Sequence, residues 1–362
     1  KVLQTTGLAY LAGEVRSGKT LTAILTAEMS KAETILVLTK KAAIEGWWKF
    51  EDNMTKQYTI TNYEQVKKLN KDDYDLVIID EAHNLGKVGK PSQRVKDIRD
   101  IALHKSVILM SGTPMAETKA SIYHQMCVTK YSPFNDFKSF YRFFDKYGIP
   151  DIQFIAGRQI KIYKKTMPSL DEVIAPYFVT LTQSEAGIKQ ESEDVVHYIE
   201  LNEDTKDKYN TLVKHQILEI PGEEPIVCDS DMKLRVTLHQ LESGIEKVNY
   251  IKENFTGKIA VMSHFIAERD FLYKHLRDCD IYSSNKHAEG VDLSYYDHFI
   301  IVSGDYSGSK FIQRRERNVN INNTKTAIVH HLLVKGAISD QVYKQVSKKK
   351  DFNNKTFKKE EI

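Results

Sequence analysis

Near the start of the chain, Gly13-Glu14-Val15-Arg16-Ser17-Gly18-Lys19-Thr20 has the pattern GxxxxGK[ST], which suits the grip of a nucleoside polyphosphate. Glycines let a backbone curl until its N–H groups surround a β-phosphate, helped by the positive end of the helix that follows. Lys19 would add charge at the β and γ oxygens, and the Thr20 hydroxyl would be a ligand for Mg²⁺. Gly13, Glu14, Arg16, Ser17, Gly18, Lys19 and Thr20 are therefore the candidate nucleotide-binding set. Further on, LVIIDEAH (Leu76 to His83) sets Asp80 and Glu81 side by side behind four aliphatic residues. Ligands of open α/β sheets bind at such carboxyl ends of strands. Buried like charges repel, so the pair is tolerable beside a divalent cation, with Asp80 holding Mg²⁺ and Glu81 polarising an attacking water. Lys19, Asp80 and Glu81 are the candidate catalytic groups of this region. The plainer readings, a glycine-rich turn and two turn acids, leave the flanking strand and helix patterns unexplained.

Elements to position these groups are legible on both sides. The runs GLAYLAG, TILVLTK, YTITNY, DLVIID and SVILMSG alternate with helical stretches such as Leu21 to Lys31, a pattern that predicts a parallel sheet in an α/β lobe. Nearly continuous aliphatics fit strands covered on both faces. A second series begins with KIAVMSHF and continues through HFIIVSG and TAIVHHLLV. The expected organisation is a first lobe over 1–125, a helical insertion over 126–200, a linker and start of the second lobe over 201–245, and the second lobe with a basic tail over 246–362. In SPFNDFKSFYRFFDKYG, Ser132 and Pro133 suit a helix start, and Phe134, Phe137, Tyr141, Phe144 and Tyr147 recur at helical spacing. A packed amphipathic helix is the plainer reading, a base-stacking wedge the other. Trp47 and Trp48 leave the same choice between packing on the sheet and stacking on a base.

Bulk properties exclude more than they assign. The 362 residues, 41% of them hydrophobic, can bury two or three cores without staples. Three scattered cysteines, Cys127, Cys228 and Cys279, form neither a zinc knuckle nor a disulfide framework, and His330 and His331 have no partners at metal spacing. A net charge of +3 is too slight to predict a polyanion partner, so local charge must carry that argument. No apolar run has the length of a membrane helix, and no signal-peptide layout opens the chain. No membrane association and a cytoplasmic setting are expected. Because the chain opens on Lys1, an upstream segment is also expected.

The DEAH tetrad followed by Ser111-Gly112-Thr113-Pro114 resembles superfamily 2 helicases, whose third motif couples hydrolysis to movement. His83, Ser111 and Thr113 are the coupling residues that this resemblance implies. ILVLTKKAAIEGWWKF, YTITNYEQV, LDEVIAPYF, LRVTLHQLESG and LVKGAISDQVYKQVSKK are similar to stretches of the Swi/Snf-like branch, particularly its compact bacteriophage versions. His287 to Ser294 resembles the fifth motif, with Gly290 and Asp292 at the nucleotide. Gln313-Arg314-Arg315-Glu316-Arg317 resembles the sixth, with Gln313 a coupling residue and Arg317 the arginine finger. The usual second arginine is Asn320 here, which leaves open whether Arg314 substitutes. The adenine-recognition motif is absent from these residues, so ATP as the nucleotide rests on the resemblance.

The resemblance implies two tandem RecA-like lobes, α/β with parallel sheets flanked by helices, closing on ATP and Mg²⁺. The expected activity is that of an ATP hydrolase that moves along DNA, double-stranded or branched, as a monomer, in a bacterial host's cytoplasm if phage-encoded. Thr39, Lys40, Thr61 and Ser263 are the expected contacts to DNA phosphates. The alternatives are a duplex translocase that remodels protein–DNA complexes or branched DNA without strand separation, and a non-catalytic DNA clamp.

Overall fold

A computed structural model of the chain describes all residues except 15, 116–117, 156–157, 188–191, 285–292, 316–325, 349–358 and 362. The chain divides into two compact units, residues 1–188 and 189–362. In the first, the strands are β1 (Leu8–Gly13), β2 (Thr34–Thr39), β3 (Gln57–Asn62), β4 (Leu76–Ile79), β5 (Ser106–Ser111), β6 (Gly148–Ile155), β7 (Arg158–Thr166) and β8 (Phe178–Leu181). Six of them form one parallel sheet in the order β3-β2-β4-β5-β1-β8. The order makes β1, β5 and β4 neighbours, so the loops after them share one edge of the sheet.

Alternation explains the aliphatic runs. Leu8, Tyr10, Leu36, Leu38, Val77, Ile79, Val107 and Leu109 join the core on one face. Ala9, Leu11, Ile35, Val37, Leu76, Ile78, Ile108 and Met110 join the core on the other. Nearly every position along these strands is thus buried, each Leu, Ile or Val contributing roughly 1.5–3 kcal/mol of transfer free energy. The helix Lys19–Glu28 begins two residues earlier than its apolar spacing suggests, because Gly18, at φ 81°, caps it.

The second unit holds β9 (Ser192–Tyr198), the short hairpin of β10 (Ile217–Leu218) and β11 (Ile226–Val227), then β12 (Ile259–Ser263), β13 (Cys279–Ser283), β14 (His298–Ile301) and β15 (Ala327–Leu333). Its parallel sheet has the order β13-β12-β14-β15-β9. Ile259, Val261, Ile300, Val302 and Leu332 pack on one face, and Ala260, Met262, Phe299, Ile301 and Val329 on the other. Both units are RecA-like lobes, parallel sheets flanked by helices. Among the described residues no helix is long and apolar enough to cross a membrane.

Two expectations about the middle of the chain are corrected. Residues 126–200 are not one insertion: β8 is the edge of the first sheet and β9 the edge of the second. The helices Glu203–His215 and Asp231–Leu241 belong to the second unit, where Tyr209, Leu212, Leu234 and Leu238 pack with Ile338 and Val342. The aromatic helix is also shorter than its periodicity predicts, spanning Phe140–Tyr147. Ser139 caps it by accepting from Arg142 N, whereas Ser132 closes an earlier turn on Phe134 N. Phe134, Phe140, Phe143 and Phe144 are buried all the same, which settles the choice in favour of packing.

Candidate active site

Gly13 ends β1, and the loop after it is tied down before any ligand arrives. Glu14 N donates to Leu181 O at 2.8 Å, and Glu14 Oε2 accepts from Gln183 N at 2.7 Å. Lys19 Nζ donates to the carbonyls of Gly13 and Glu14 at 2.9 and 2.6 Å, curling the loop over its own lysine. Arg16 sits at φ 62° and Gly18 at φ 81°, left-handed backbone that a tight phosphate loop requires and that costs a non-glycine residue energy. Gly13 is also a matter of room: a Cβ there would lie 2.5 Å from Ser17 Oγ and 2.8 Å from Lys19 Cγ. Ser17 Oγ is buried with no hydrogen-bond partner among the described residues, a cost that a ligand oxygen would remove. Thr20 stands in the first turn of the helix.

Asp80 and Glu81 follow β4 on the same edge of the sheet. One Asp80 carboxylate oxygen accepts from Thr39 Oγ1 at 2.8 Å and from Trp47 Nε1 at 3.2 Å. The Tyr63 hydroxyl donates to the Asp80 carbonyl. Burial, reinforced by the Glu81 charge, pushes the Asp80 carboxyl up to about 6 against the pull of Thr39, Trp47 and Lys19. Burial acts in the same direction on Glu81, but the hydrogen bond and charge of His83, with Lys19 and Lys40, outweigh it and hold Glu81 below its ordinary value. Adjacent carboxylates whose protonation is driven apart suit two different roles. Glu81 takes φ 52°, which turns its side chain toward His83, whose Nδ1 is 3.2 Å from Glu81 Oε2 and 2.8 Å from Ser111 Oγ. Ser111 Oγ accepts in turn from Thr113 N at 3.0 Å. A continuous polar chain therefore runs from the carboxylate after β4 to the SGTP turn after β5.

These residues fit a nucleotide with its cation. The curled loop would supply N–H groups, Lys19 a charge, and Asp80 with Thr20 two oxygen ligands, and phosphate oxygens and water would complete such a shell. Bound there, Mg²⁺ would neutralise charge on the β and γ oxygens.

Trp47 and Tyr63 are contacts of Asp80 that periodicity alone did not single out: Trp47, 2% exposed, packs in the core beside the sheet, and its indole N–H also donates to Asp80. The expected phosphate contacts divide. Lys40 and Thr61 are partly exposed at the carboxyl ends of β2 and β3. Thr39 is fully buried, its hydroxyl given to Asp80. Ser263 is 1% exposed, its hydroxyl given to Glu268 Oε2 at 2.7 Å and to the Phe265 carbonyl. Both hydroxyls are buried and bound within the protein in this packing, unlike the exposed phosphate contacts expected of them.

In the second lobe Arg314 is 2% exposed and donates to Asp305 Oδ2 at 2.9 Å and to the Ser284 carbonyl at 3.2 Å. His264 Nδ1 lies 3.1 Å from Ser284 Oγ, and Lys310 reaches Asp305 at 3.3 Å. Arg314 thus braces the helix Gly308–Arg315 against the loop after β14. Gln313 lies in that helix; Arg317, Gly290 and Asp292 lie outside the described residues. His330 and His331 sit in β15, and no metal-binding cluster of three or more His, Cys, Asp or Glu occurs among the described residues.

Residues 17–244 match the SNF2-related domain family, more than half of the chain. The chain belongs to that family. The match begins inside the phosphate loop of this SNF2-related chain and ends at Gly244, so the arginine-bearing helix lies beyond it. Over 168 residues the chain is 29% identical to a SWI/SNF-related matrix-associated actin-dependent regulator of chromatin subfamily A-like protein 1 homolog from Caenorhabditis elegans. That alignment covers 38% of this chain and 24% of the relative, so the chain matches about a quarter of that protein's length. The helicase domain of Hef from Pyrococcus furiosus, a solved structure, is similar at a TM-score of 0.45 and 12% identity, over 94% of this chain and 96% of that one.

Proposed function

We propose that this SNF2-related chain hydrolyses ATP and uses the energy to move along DNA without reading its sequence. The observation that carries the reading is the partly buried Asp80–Glu81 pair, linked through His83 to Ser111 on the edge of the sheet that also bears the Gly13–Thr20 loop. In this reading Lys19 exchanges the carbonyls of Gly13 and Glu14 for the β and γ oxygens of ATP, Thr20 and Asp80 hold Mg²⁺, and Glu81 orients the attacking water. Arg317 supplies the finger from the second lobe, an effect worth roughly 10³–10⁵ in rate in other nucleotide hydrolases. Arg314 steadies the helix Gly308–Arg315 that precedes it in the chain. His83, Ser111 and Thr113 pass the loss of the γ-phosphate to the nucleic-acid side, where Lys40 and Thr61 meet the backbone, so binding is salt-dependent.

The deciding measurement is DNA-stimulated ATPase activity of Lys19→Ala. It should fall below about a tenth of the unsubstituted rate, since the charge at the transferring group is lost. Activity above that level overturns the nucleotide assignment. DNA binding without ATP turnover in the unsubstituted chain would favour a DNA clamp instead, and displacement of a triplex strand without opening of a fork would favour a duplex translocase.

A further inference from the structure

Two adjacent arginines at the end of the helix Gly308–Arg315 go to different places. Arg314 turns to Asp305 and the Ser284 carbonyl. Arg315 turns to β9, the edge of the second sheet and the first strand after the boundary between the two units at residues 188 and 189. Its Nε is 2.8 Å from Asp194 Oδ2, and its Nη2 donates to the Ser192 carbonyl at 2.7 Å.

The other Asp194 oxygen is taken as well. His331 Nε2 lies 2.9 Å from Asp194 Oδ1, and this buried imidazole stands in β15 among Val329, Leu332 and Leu333. The Phe311 ring stacks on the His331 ring, with centroids 5.6 Å apart. Phe311 and Arg315 are four residues apart on one helix, hence on one face. A whole turn of that helix therefore rests on β9 and β15, while Arg314 fastens it to the loops after β13 and β14.

As a source of stability this arrangement is a poor one. Charges drawn out of water gain little net free energy by pairing, whereas an aliphatic residue at position 331 would simply extend the core around it. What the contact does well is fix a position: a planar guanidinium held by two acceptors neither slides nor rotates without losing one of them. Arg317 is two residues beyond Arg315 in the chain. A finger contributes only when its charge arrives within hydrogen-bond distance of the transferring phosphoryl group. A helix fastened by Arg314 alone is free to roll about that contact, and the Arg315 clasp on its other side removes the roll.

We infer that Asp194, with His331 behind it, is a positioning residue for the Arg317 finger and acts through Arg315, tying the arginine-bearing segment to the strand by which the chain enters the second unit. This rests on the motor reading above, in which Arg317 completes the nucleotide site.

The test compares, in the full chain with duplex DNA present, the affinity for ADP with that for ADP–aluminium fluoride, a mimic of the transferring phosphoryl group. In Asp194→Asn the mimic should bind about tenfold or more weakly, ADP should stay within about twofold of the unsubstituted value, and kcat should fall in step with the mimic. A general loss of stability would weaken both ligands alike, and a thermal melt monitors it. Arg315→Lys keeps the charge but does not meet Asp194 and Ser192 together, so it should give the same result and serves if Asp194→Asn does not fold. Added to Arg317→Ala, Asp194→Asn should deepen the loss by less than about twofold, because the group it positions is already gone. Binding of the mimic within about twofold of the unsubstituted value in these variants overturns the inference, as does equal weakening of ADP or a loss that multiplies in full with that of Arg317→Ala. If Arg317→Ala itself leaves the mimic's affinity unchanged, the finger assignment has failed and the clasp falls with it; if Arg317→Ala weakens the mimic and Asp194→Asn does not, only the positioning role has failed.

Discussion

Asp80 shows how much of a carboxylate's behaviour belongs to its neighbours. This partly buried carboxylate, beside another, is held in one orientation by the Thr39 hydroxyl and the Trp47 indole, both of which also favour its charged form. Thr39→Val removes one of these donors at nearly constant volume. The Mg²⁺ concentration for half-maximal ATPase should rise roughly ten- to a hundredfold, the usual penalty for losing a partner of a metal ligand; an unchanged Mg²⁺ titration would show that Trp47 suffices. Asp305 plays the corresponding part for Arg314, whose guanidinium has 2% exposure. Asp305→Asn removes the counter-ion 2.9 Å from that buried cation, a change that typically destabilises by roughly 3–5 kcal/mol. Urea unfolding followed on the second lobe should show a loss of that order, and a loss under about 1 kcal/mol would mean that Ser284 and water satisfy the arginine.

At the scale of elements, each strand tip presents its loop at the same sheet edge, and the spacing between them allows little slack. Gly13 is where this is tightest, between Ser17 Oγ and Lys19 Cγ. Gly13→Ala should weaken nucleotide binding at least about tenfold, or about 1.4 kcal/mol, as read by titration with a fluorescent ATP analogue, while the melting temperature without nucleotide stays nearly level. The central strands were legible in advance because both of their faces are buried and their sequences are nearly all aliphatic. β8, β9 and β13 were not, and all three are edge strands. An edge strand has one neighbour and carries more polar residues, such as Ser192, Glu193 and Asp194 in β9, so its pattern fades toward that of a loop. The same weakness put the lobe boundary in the wrong place.

Over the whole molecule, the second lobe carries the charge buried most deeply. Burial raises the Glu242 carboxyl to about 7, against the Lys247 charge and the Ser339 N–H groups, and lowers His239 far below its ordinary value. These act in opposite directions. Glu242, with a raised folded pKa, contributes stability that is complete below about pH 4.5 and lost as pH rises through about 7. His239, with a lowered one, contributes stability present above about pH 6.5 and lost as pH falls. Glu242→Gln should therefore abolish a decline of about 3 kcal/mol between pH 4.5 and 7, measured as the difference between variant and unsubstituted unfolding free energies across that range; parallel curves would refute it. By itself the order of residues determined the phosphate loop, the acidic pair at a strand tip and the α/β alternation, because each is written in consecutive residues obeying local backbone rules. Only tertiary structure decided that Thr39, Trp47 and Tyr63 converge on Asp80, that Ser263 and Arg314 turn inward, and that β8 and β9 part company. Those facts depend on which strands lie side by side, and sheet order is set by the joint burial of distant segments rather than by any stretch of sequence alone.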